Sequence, residues 1–117
     1  TIEGVGQLHG ASHTVIPDRI VAATYLCCAA VTGGSIVLHR VNSSHLEGIL
    51  PPLVQAGCKV IRYSDASALE APGRLHSIET VRTMPYPGFP TDAQPVLMAL
   101  SSMADGTGIF VENIFPL

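Results

Sequence analysis

Charged residues are scarce in this sequence. Asp, Glu, Lys and Arg make up only 13% of the 117 residues, and the net charge is −3 with six Lys and Arg and no basic run. We expect no nucleic-acid partner, because proteins that bind nucleic acid carry a basic patch or stripe. Hydrophobic residues make up 47% and the mean hydropathy is +0.38, which leaves too few charges to surround an isolated domain. We therefore expect much of the surface to be covered by more protein, either the rest of a longer chain or further copies of this one.

The chain also lacks an apolar run long enough to cross a membrane, and no signal peptide opens it. We expect a cytoplasmic protein with no membrane partner. The length suits one domain with a modest core. A strand-like pattern is already under way at Thr1 and the chain stops abruptly at Leu117, so we expect a piece of a larger protein.

Cysteine is sparse and odd in number, with Cys27, Cys28 and Cys58. Two adjacent cysteines cannot readily pair with each other on a helix, and no spacing matches a zinc site. We expect three buried free thiols in a reducing compartment, with no metal and no cofactor. Apolar surroundings raise the pKa of a thiol, so a nucleophilic role is not favoured.

Prolines and glycines divide the chain into short elements. We predict strands at 1–9, 35–41, 59–63 and 76–83, a short return strand around Leu69, and a last strand at 107–114. An apolar helix over 20–31 should begin at the N-cap Asp18 and end at Gly33 and Gly34.

A second helix is predicted over 46–54, opened by a capping box of Ser44 and Glu47. Pro51 and Pro52 fall inside it, and an interior proline costs about 3 kcal/mol. We therefore predict a kink or interruption immediately before Pro51. The apolar residues of the segment should still face the core, namely Leu46, Ile49, Leu53 and Val54.

The most distinctive segment is the proline-rich run at 85–94. Its three prolines fix φ and remove backbone donors, so we expect a stiff, extended approach to the helix that follows. Thr91 and Gln94 fit a capping box, and the helix over 96–104 is apolar on nearly every side and should be buried. Asp92 would stand at its first position. An Asp there is usually only a helix-start charge, but the rigid approach favours a carboxylate presented to a ligand.

The sequence repeats itself when it is shifted by 73 positions, so that Pro17 falls on Pro90. Each copy has a proline before a helix start, an apolar helix, a glycine stop and a strand. The repeated unit indicates a β-α-β-α-β-β arrangement, with one unit at about 10–80 and a second begun at about 81–117. We therefore predict that residues 1–117 form a single partial α/β domain.

Three motifs together resemble the enolpyruvyl transferases. They are Pro-Gly-Phe-Pro-Thr-Asp at 87–92, Ile-Glu-Gly-Val at 2–5 and Val-Ile-Pro-Asp-Arg-Ile at 15–20, and the first is specific to the cell-wall branch of the family. The likeness covers essentially all 117 residues, about the middle quarter of a family member. It implies an inside-out α/β domain with repeated units around buried helices, and two such domains closing over the substrates.

The resemblance also implies a reaction. The enolpyruvyl group of phosphoenolpyruvate is transferred to the 3-hydroxyl of UDP-N-acetylglucosamine and phosphate is released, the first committed step of peptidoglycan synthesis and so of cell wall biogenesis and cell shape. In the family the Asp of Pro-Thr-Asp is taken as the proton acceptor for that hydroxyl, which maps to Asp92. A backbone contact with the nucleotide sugar maps to Ile114. The Asp-Arg pair after the first helix-opening proline maps to Asp18 and Arg19, with a structural or domain-closing role or, alternatively, a direct role in the site.

The sequence also departs from the family. No residue matches the family's reactive cysteine or the groups that hold phosphoenolpyruvate, and Pro116 and Leu117 stand where the family continues Glu-Asn-Arg. Two function classes therefore stay open. The chain is part of a transferase and inactive alone, or it is a non-catalytic module with the same fold, standing alone or domain-swapped.

Overall fold

The computed structural model describes residues 1–115, which contain three α-helices, two 3-10 turns and five strands. Pro116 and Leu117, where the sequence departs from the family motif, lie outside the described residues. The helices are α1 (Arg19–Val31), α2 (Leu50–Gln55) and α3 (Gln94–Ser101), with 3-10 turns at Ser43–Leu46 and Thr91–Ala93. The strands are β1 (Ser35–His39), β2 (Lys59–Arg62), β3 (Ala66–Glu70), β4 (Thr80–Arg82) and β5 (Ile109–Val111).

The strands form two separate sheets. In the first, β3 lies between β1 and β2 and is antiparallel to both, with Leu69 opposite Ile36 on one side and Val60 on the other. In the second, β4 and β5 are parallel, with Val81 opposite Phe110. A parallel pair needs a crossover connection, and α3 supplies it. The strands predicted in the first sheet are confirmed, whereas those of the second sheet are shorter than predicted.

Helix α1 begins and ends where the sequence predicts. Asp18 Oδ1 accepts hydrogen bonds from two backbone N–H groups of the first turn at 2.7 and 3.3 Å, which satisfies donors that no carbonyl of the helix can reach. At the other end Gly33 has φ of 69°, and the N–H of Gly34 donates to the carbonyl of Ala29 at 2.9 Å. This αL glycine ends the helix by the Schellman motif.

The prediction of a strand at 1–9 is wrong. Every side chain of residues 1–18 is exposed, and Ile2 and Leu8 are 98% and 87% exposed. A strand is defined by hydrogen bonds to a neighbouring strand, and no strand within residues 1–115 pairs with this segment. No element within residues 1–115 covers its alternating apolar residues.

The interruption predicted before Pro51 is confirmed. A 3-10 turn ends at Leu46, and α2 begins at Leu50, so that both prolines lie in its first turn. A missing N–H is harmless there because it has no carbonyl partner in the helix. Three of the four apolar residues are buried as predicted, but Val54 is 55% exposed.

The capping box predicted at Ser44 is also wrong. The cap is Asn42, whose side-chain oxygen accepts a hydrogen bond from the N–H of Ser44 at 3.0 Å. The 3-10 turn therefore begins one residue before Ser44. Asn and Ser are about equally good caps, so the sequence alone did not decide between them.

The core lies between α1, α2, α3 and the sheets. Its largest fully buried apolar side chains are Leu26, Leu46, Ile49, Leu50, Leu53, Leu69, Ile78, Leu97 and Leu100. The expectation that the apolar helix over 96–104 is buried is wrong for its outer face, and α1 likewise has an exposed face. Val21 and Tyr25 on α1 and Met98 on α3 are about half exposed, because no element within residues 1–115 covers those faces. No helix in this part of the chain combines the length and the apolar character that crossing a membrane requires.

Candidate functional site

A cleft of about 220 Å³ opens where the proline-rich segment meets the end of β5. Its walls include three of the four residues that the sequence singles out, Arg19, Asp92 and Ile114. The other lining residues are Met84, Pro85, Tyr86, Pro90, Thr91 and Phe115. The fourth residue, Asp18, is engaged as the N-cap of α1 and does not line the cleft. The fold thus brings together residues that are far apart in the sequence.

Arg19 and Asp92 occupy equivalent positions when the sequence is shifted by 73 residues. Each stands two residues after the proline before its helix, and 73 positions separate them. Both line the cleft, yet no ion pair joins them within the described residues. The cleft therefore presents one cation and one anion, and neither is neutralised by the other.

The approach to Asp92 is a closed turn, and the prediction of an extended segment is wrong. The N–H of Gly88 donates to the carbonyl of Pro85 at 2.8 Å, and the N–H of Met84 donates to the carbonyl of Phe89 at 2.9 Å. The peptide bond before Pro87 is cis. Phe89 is buried and anchors the turn to the core. The segment is held in place, as predicted, but by hydrogen bonds and burial as well as by its prolines.

A second glycine allows this turn to lie close to the body of the protein. A Cβ atom built on Gly48 would fall 2.9 Å from the carbonyl oxygen of Pro87 and closer still to the carbonyl of Gly88. Real Cβ atoms do not approach other atoms so closely, so a side chain at this position would displace the turn. Gly48 therefore belongs to the support of the site.

Asp92 presents an exposed carboxylate at the mouth of the cleft. It lies in the 3-10 turn Thr91–Ala93, which runs directly into α3. No hydrogen-bond donor among residues 1–115 contacts its side chain. An ionised carboxylate is an acceptor only, so Asp92 is able to accept a hydrogen bond or a proton from a ligand in the cleft.

The capping box predicted for Thr91 and Gln94 is wrong. α3 begins at Gln94 without a side-chain cap, and the buried Gln94 Oε1 has no hydrogen-bond partner within residues 1–115. The hydroxyl of Thr91 instead donates to Glu112 Oε1 at 3.2 Å. A carboxylate after β5 therefore takes the hydroxyl that was expected to cap the helix.

Glu112 is the centre of a hydrogen-bond network that we call the Glu112 network. Its Oε1 accepts hydrogen bonds from Thr83 Oγ1 at 2.8 Å and Thr91 Oγ1 at 3.2 Å, and from the N–H groups of Ile114 at 2.6 Å and Phe115 at 3.1 Å. Thr83 is fully buried, and its hydroxyl also accepts a hydrogen bond from the N–H of Asn113 at 2.7 Å. The network ties the end of β4, the start of α3 and the end of β5 to one oxygen atom.

The environment favours the ionised form of this carboxylate. Partial burial raises the pKa of Glu112, but the hydrogen bonds from Ile114, Thr83, Phe115 and Thr91 outweigh it and hold the pKa below its usual value of 4.5. Sequence analysis missed Glu112 and Thr83. The only available signal was a carboxylate inside the strand predicted at 107–114 and two residues before Ile114, a pattern too common to identify a site.

The backbone of Ile114 is already engaged on one side. Its N–H donates to Glu112 Oε1, so a ligand contact through the backbone of Ile114 would use the carbonyl oxygen. The side chain is partly exposed at 37% and lines the cleft. A ligand that makes the expected contact must therefore donate a hydrogen bond to the carbonyl oxygen of Ile114.

The guanidinium of Arg19 lies over an aromatic ring. Its Cζ atom is 5.5 Å from the centroid of the Tyr86 ring, within the range of a cation–π contact. The ring of His45 meets the same tyrosine edge-on, with centroids 6.5 Å apart and an interplanar angle of 77°. Tyr86 thus contacts Arg19 and His45, and these contacts join the proline-rich turn to the start of α1 and to the turn before α2.

The expectation of three buried thiols is wrong for one of them. Cys27 and Cys58 are buried, whereas Cys28 is exposed and lines an apolar groove of about 250 Å³ between α1 and α3. Burial, with smaller contributions from the neighbouring thiols, raises the pKa of Cys27 to about 12, and burial also raises the pKa of Cys58. These two thiols are therefore unreactive at neutral pH. Within residues 1–115 no group of His, Cys, Asp and Glu is placed to hold a metal ion.

Comparison with known proteins gives a consistent set of relatives. The family profile of EPSP synthase (3-phosphoshikimate 1-carboxyvinyltransferase) matches residues 1–116. UDP-N-acetylglucosamine 1-carboxyvinyltransferase 1 of Symbiobacterium thermophilum is 46% identical over 114 residues, 97% of this chain and 26% of that protein. UDP-N-acetylglucosamine 1-carboxyvinyltransferase 2 of Caldanaerobacter subterraneus subsp. tengcongensis is 43% identical over 114 residues, 97% of this chain and 27% of that protein. The chain thus spans about a quarter of the length of these relatives.

A solved structure has the same fold. The enolpyruvyl transferase NikO from Streptomyces tendae superposes with a TM-score of 0.70 over 86% of this chain and 24% of its own. The sequence identity is 23%, so this likeness concerns the fold alone.

Proposed function

The chain belongs to the EPSP synthase family of enolpyruvyl transferases, and from that premise we propose that it carries the sugar-facing carboxylate of a UDP-N-acetylglucosamine 1-carboxyvinyltransferase. The whole enzyme would transfer the enolpyruvyl group of phosphoenolpyruvate to the 3-hydroxyl of UDP-N-acetylglucosamine. The observation that carries this proposal is the exposed carboxylate of Asp92, without a partner among the described residues, in the cleft that Arg19 and Ile114 also line.

The reaction needs a proton acceptor at the sugar. The 3-hydroxyl loses its proton as its oxygen bonds to C2 of phosphoenolpyruvate, and C3 of phosphoenolpyruvate gains a proton in the same addition. Phosphate then leaves from C2 as C3 loses a proton, which restores the double bond. An alcohol is a weak nucleophile, so a base within hydrogen-bond reach typically contributes 10²- to 10⁴-fold in rate. Asp92 meets the two requirements of such a base, because its carboxylate faces the cleft and no described residue occupies it.

The rest of the cleft supports a sugar ligand. The carbonyl of Ile114 can accept a hydrogen bond from a sugar hydroxyl or amide. Arg19 is held over Tyr86 on the cleft wall, which favours a role in the site for Arg19. Asp18 has the structural role of an N-cap.

The proposed setting follows from the same relatives. An enzyme of this specificity works in the cytoplasm at the start of peptidoglycan synthesis, and so supports the cell wall and cell shape. The chain has no counterpart of the groups that hold phosphoenolpyruvate in the family. We therefore expect the 117-residue chain to be inactive alone and to act with the remainder of a two-domain enzyme.

The test uses a graft, in which the matching 114 residues of this chain replace those of the Symbiobacterium thermophilum relative. Phosphate release with both substrates is measured for the graft and for its Asp92→Asn variant, with each rate divided by the folded fraction. We expect kcat to fall by about 10²- to 10⁴-fold with little change in melting temperature. The matched control is Asp65→Asn, which removes an equally exposed carboxylate from the turn before β3.

Two results would count against the proposal. One is a folded graft that releases no phosphate, which would favour the non-catalytic module with the same fold. The other is an Asp92→Asn rate equal to the Asp65→Asn rate, which would leave Asp92 as a helix-start charge.

A further inference from the structure

We propose that Glu112 is a positioning residue for this reaction, holding Asp92 and Ile114 at a fixed separation through one carboxylate oxygen. The inference rests on the proposed function, because it assigns Glu112 a purpose only if Asp92 and Ile114 contact the sugar. Glu112 itself does not line the cleft. It would act through the residues that do.

The geometry places Glu112 between the two groups. Its Oε1 accepts a hydrogen bond from Thr91, the residue before Asp92, and another from the N–H of Ile114 itself. The Thr91 and Ile114 segments follow β4 and β5, whose carboxyl ends lie at the same edge of the parallel pair, and the network is a polar link between them. A shift of about 1 Å between a base and its reacting group can cost on the order of 100-fold in rate, so such a link bears directly on turnover.

The predicted repeat allows a comparison with α1, a helix that starts without such a network. In the first copy, 73 positions earlier, Asp18 corresponds to Thr91, His39 to Glu112 and Gly10 to Thr83. There Asp18 caps its helix in the ordinary way. In the second copy the hydroxyl of Thr91, which stands in the place of Asp18, donates to Glu112 instead. Helix α3 therefore begins without a side-chain cap.

The different starts of α1 and α3 indicate that the Glu112 network serves the site and not the start of the helix. The second copy gives up a helix cap, which is a favourable local interaction, and gains a link between strand β5 and the residue next to Asp92. The copy that gains the link is the one that contributes a carboxylate and a backbone carbonyl to the cleft. A network that served only to start a helix would be expected in both copies.

The first measurement is made on the 117-residue chain without ligand. Amide chemical shifts of Thr91, Asp92, Ile114 and Phe115 are followed by NMR in the Glu112→Ala, Glu112→Gln and Glu79→Gln variants. Glu79 is exposed and lies next to β4, so Glu79→Gln removes a nearby charge that is outside the network. We expect all four amides to move in Glu112→Ala, to move less in Glu112→Gln, whose side chain keeps one acceptor oxygen, and to stay in place in Glu79→Gln.

The second measurement is made in the graft and separates kcat from KM. Glu112→Ala should lower kcat per folded molecule by roughly 100-fold and raise the KM for UDP-N-acetylglucosamine. The KM for phosphoenolpyruvate should not change, because this chain holds no counterpart of the residues that bind it. Glu112→Gln should lie between Glu112→Ala and the unchanged graft, since it restores an acceptor of the same reach.

The outcomes distinguish the two proposals. If Asp92→Asn lowers kcat while Glu112→Ala lowers only the melting temperature, the positioning role is wrong and the proposed function stands. If neither variant lowers kcat, or the folded graft is inactive, the proposed function falls and the positioning role falls with it. Unmoved amides at Asp92 and Ile114 in Glu112→Ala overturn the positioning role whatever the kinetics show.

Discussion

Gly48 lies against the carbonyl of Gly88, so that the turn before α2 and the turn before Asp92 touch through their backbones. A side chain on Gly48 would displace Gly88, whereas a Cβ on Gly88 would meet its own turn, 2.5 Å from Met84 Cβ and 3.0 Å from the carbonyl oxygen of Pro85. The position of the proline-rich turn is therefore set by a contact some 40 residues away in the sequence.

Substitution of Gly48 should displace that turn. Gly48→Ala places a methyl group against the carbonyls of Pro87 and Gly88, and overpacking of this kind typically costs 1–3 kcal/mol. We expect the free energy of unfolding in urea to fall by about that amount, and the amide signals of 85–90 to shift. Gly73→Ala is the control, since nothing lies within 4 Å of a Cβ there. Equal stability of the two variants would contradict the close contact.

The features that the sequence predicted well are local. The cap of α1 at Asp18, its glycine stop and the interruption before Pro51 each depend on residues within one or two turns. The α/β fold and the family were also predicted correctly, from the Pro-Gly-Phe-Pro-Thr-Asp run, as the comparisons confirm. The division into repeat units, the roles of Asp92 and Ile114 and the role of Arg19 remain predictions.

The features that the sequence predicted wrongly depend on distant partners. Thr91 looks like an N-cap until Glu112, 21 residues later, takes its hydroxyl. Residues 1–9 look like a strand, but the described chain offers them no neighbour. The apolar character of α1 predicts a surface that further protein would cover, and the structure adds which of its residues nothing in this part of the chain covers, Val21 and Tyr25. Local pattern does not contain this information.

The thiols should differ sharply in reactivity. With a pKa of about 12, Cys27 would be thiolate in only about one molecule in ten thousand at pH 8, whereas Cys28 is exposed. We expect iodoacetamide at pH 8 to modify Cys28 first, with Cys27 and Cys58 reacting only after denaturation. Peptide mass spectrometry locates the label, and early modification of Cys27 would show that the core opens readily.

The isolated chain should associate through the exposed faces of α1 and α3. Val21 and Met98 are 51% and 47% exposed on the two helices whose other residues line the apolar groove, and large exposed apolar patches mark interaction surfaces. Sedimentation velocity should show species larger than a monomer, and Val21→Glu should reduce them. Val54→Glu, at an equally exposed apolar position on α2, should not. A monodisperse monomer at high concentration would rule the association out.

Stability should depend on pH through Glu112. Its folded pKa lies below the usual value, so its contribution to the free energy of unfolding is present above pH 4.5 and is lost as the pH falls through the folded pKa. The difference in stability between the unchanged chain and Glu112→Gln should therefore be largest at about pH 6 and shrink towards about pH 3. Urea unfolding at several pH values measures it. A difference that does not vary with pH would mean that the carboxylate is not ionised in the network.

The placement of the two sheets also bears on the order of folding. β2 and β3 are joined by a turn of three residues, 63–65, whereas the parallel pair of β4 and β5 can close only after the whole α3 crossover has been ordered. Closing a longer loop costs more chain entropy before any contact repays it. In pulse-labelled hydrogen exchange during refolding, the amides of the β2–β3 hairpin should therefore be protected before the amide of Ile109, which donates to the carbonyl of Glu79. The turn that carries Asp92 would then be among the last parts of the molecule to form. A partly folded chain would therefore have its first sheet but not its candidate site.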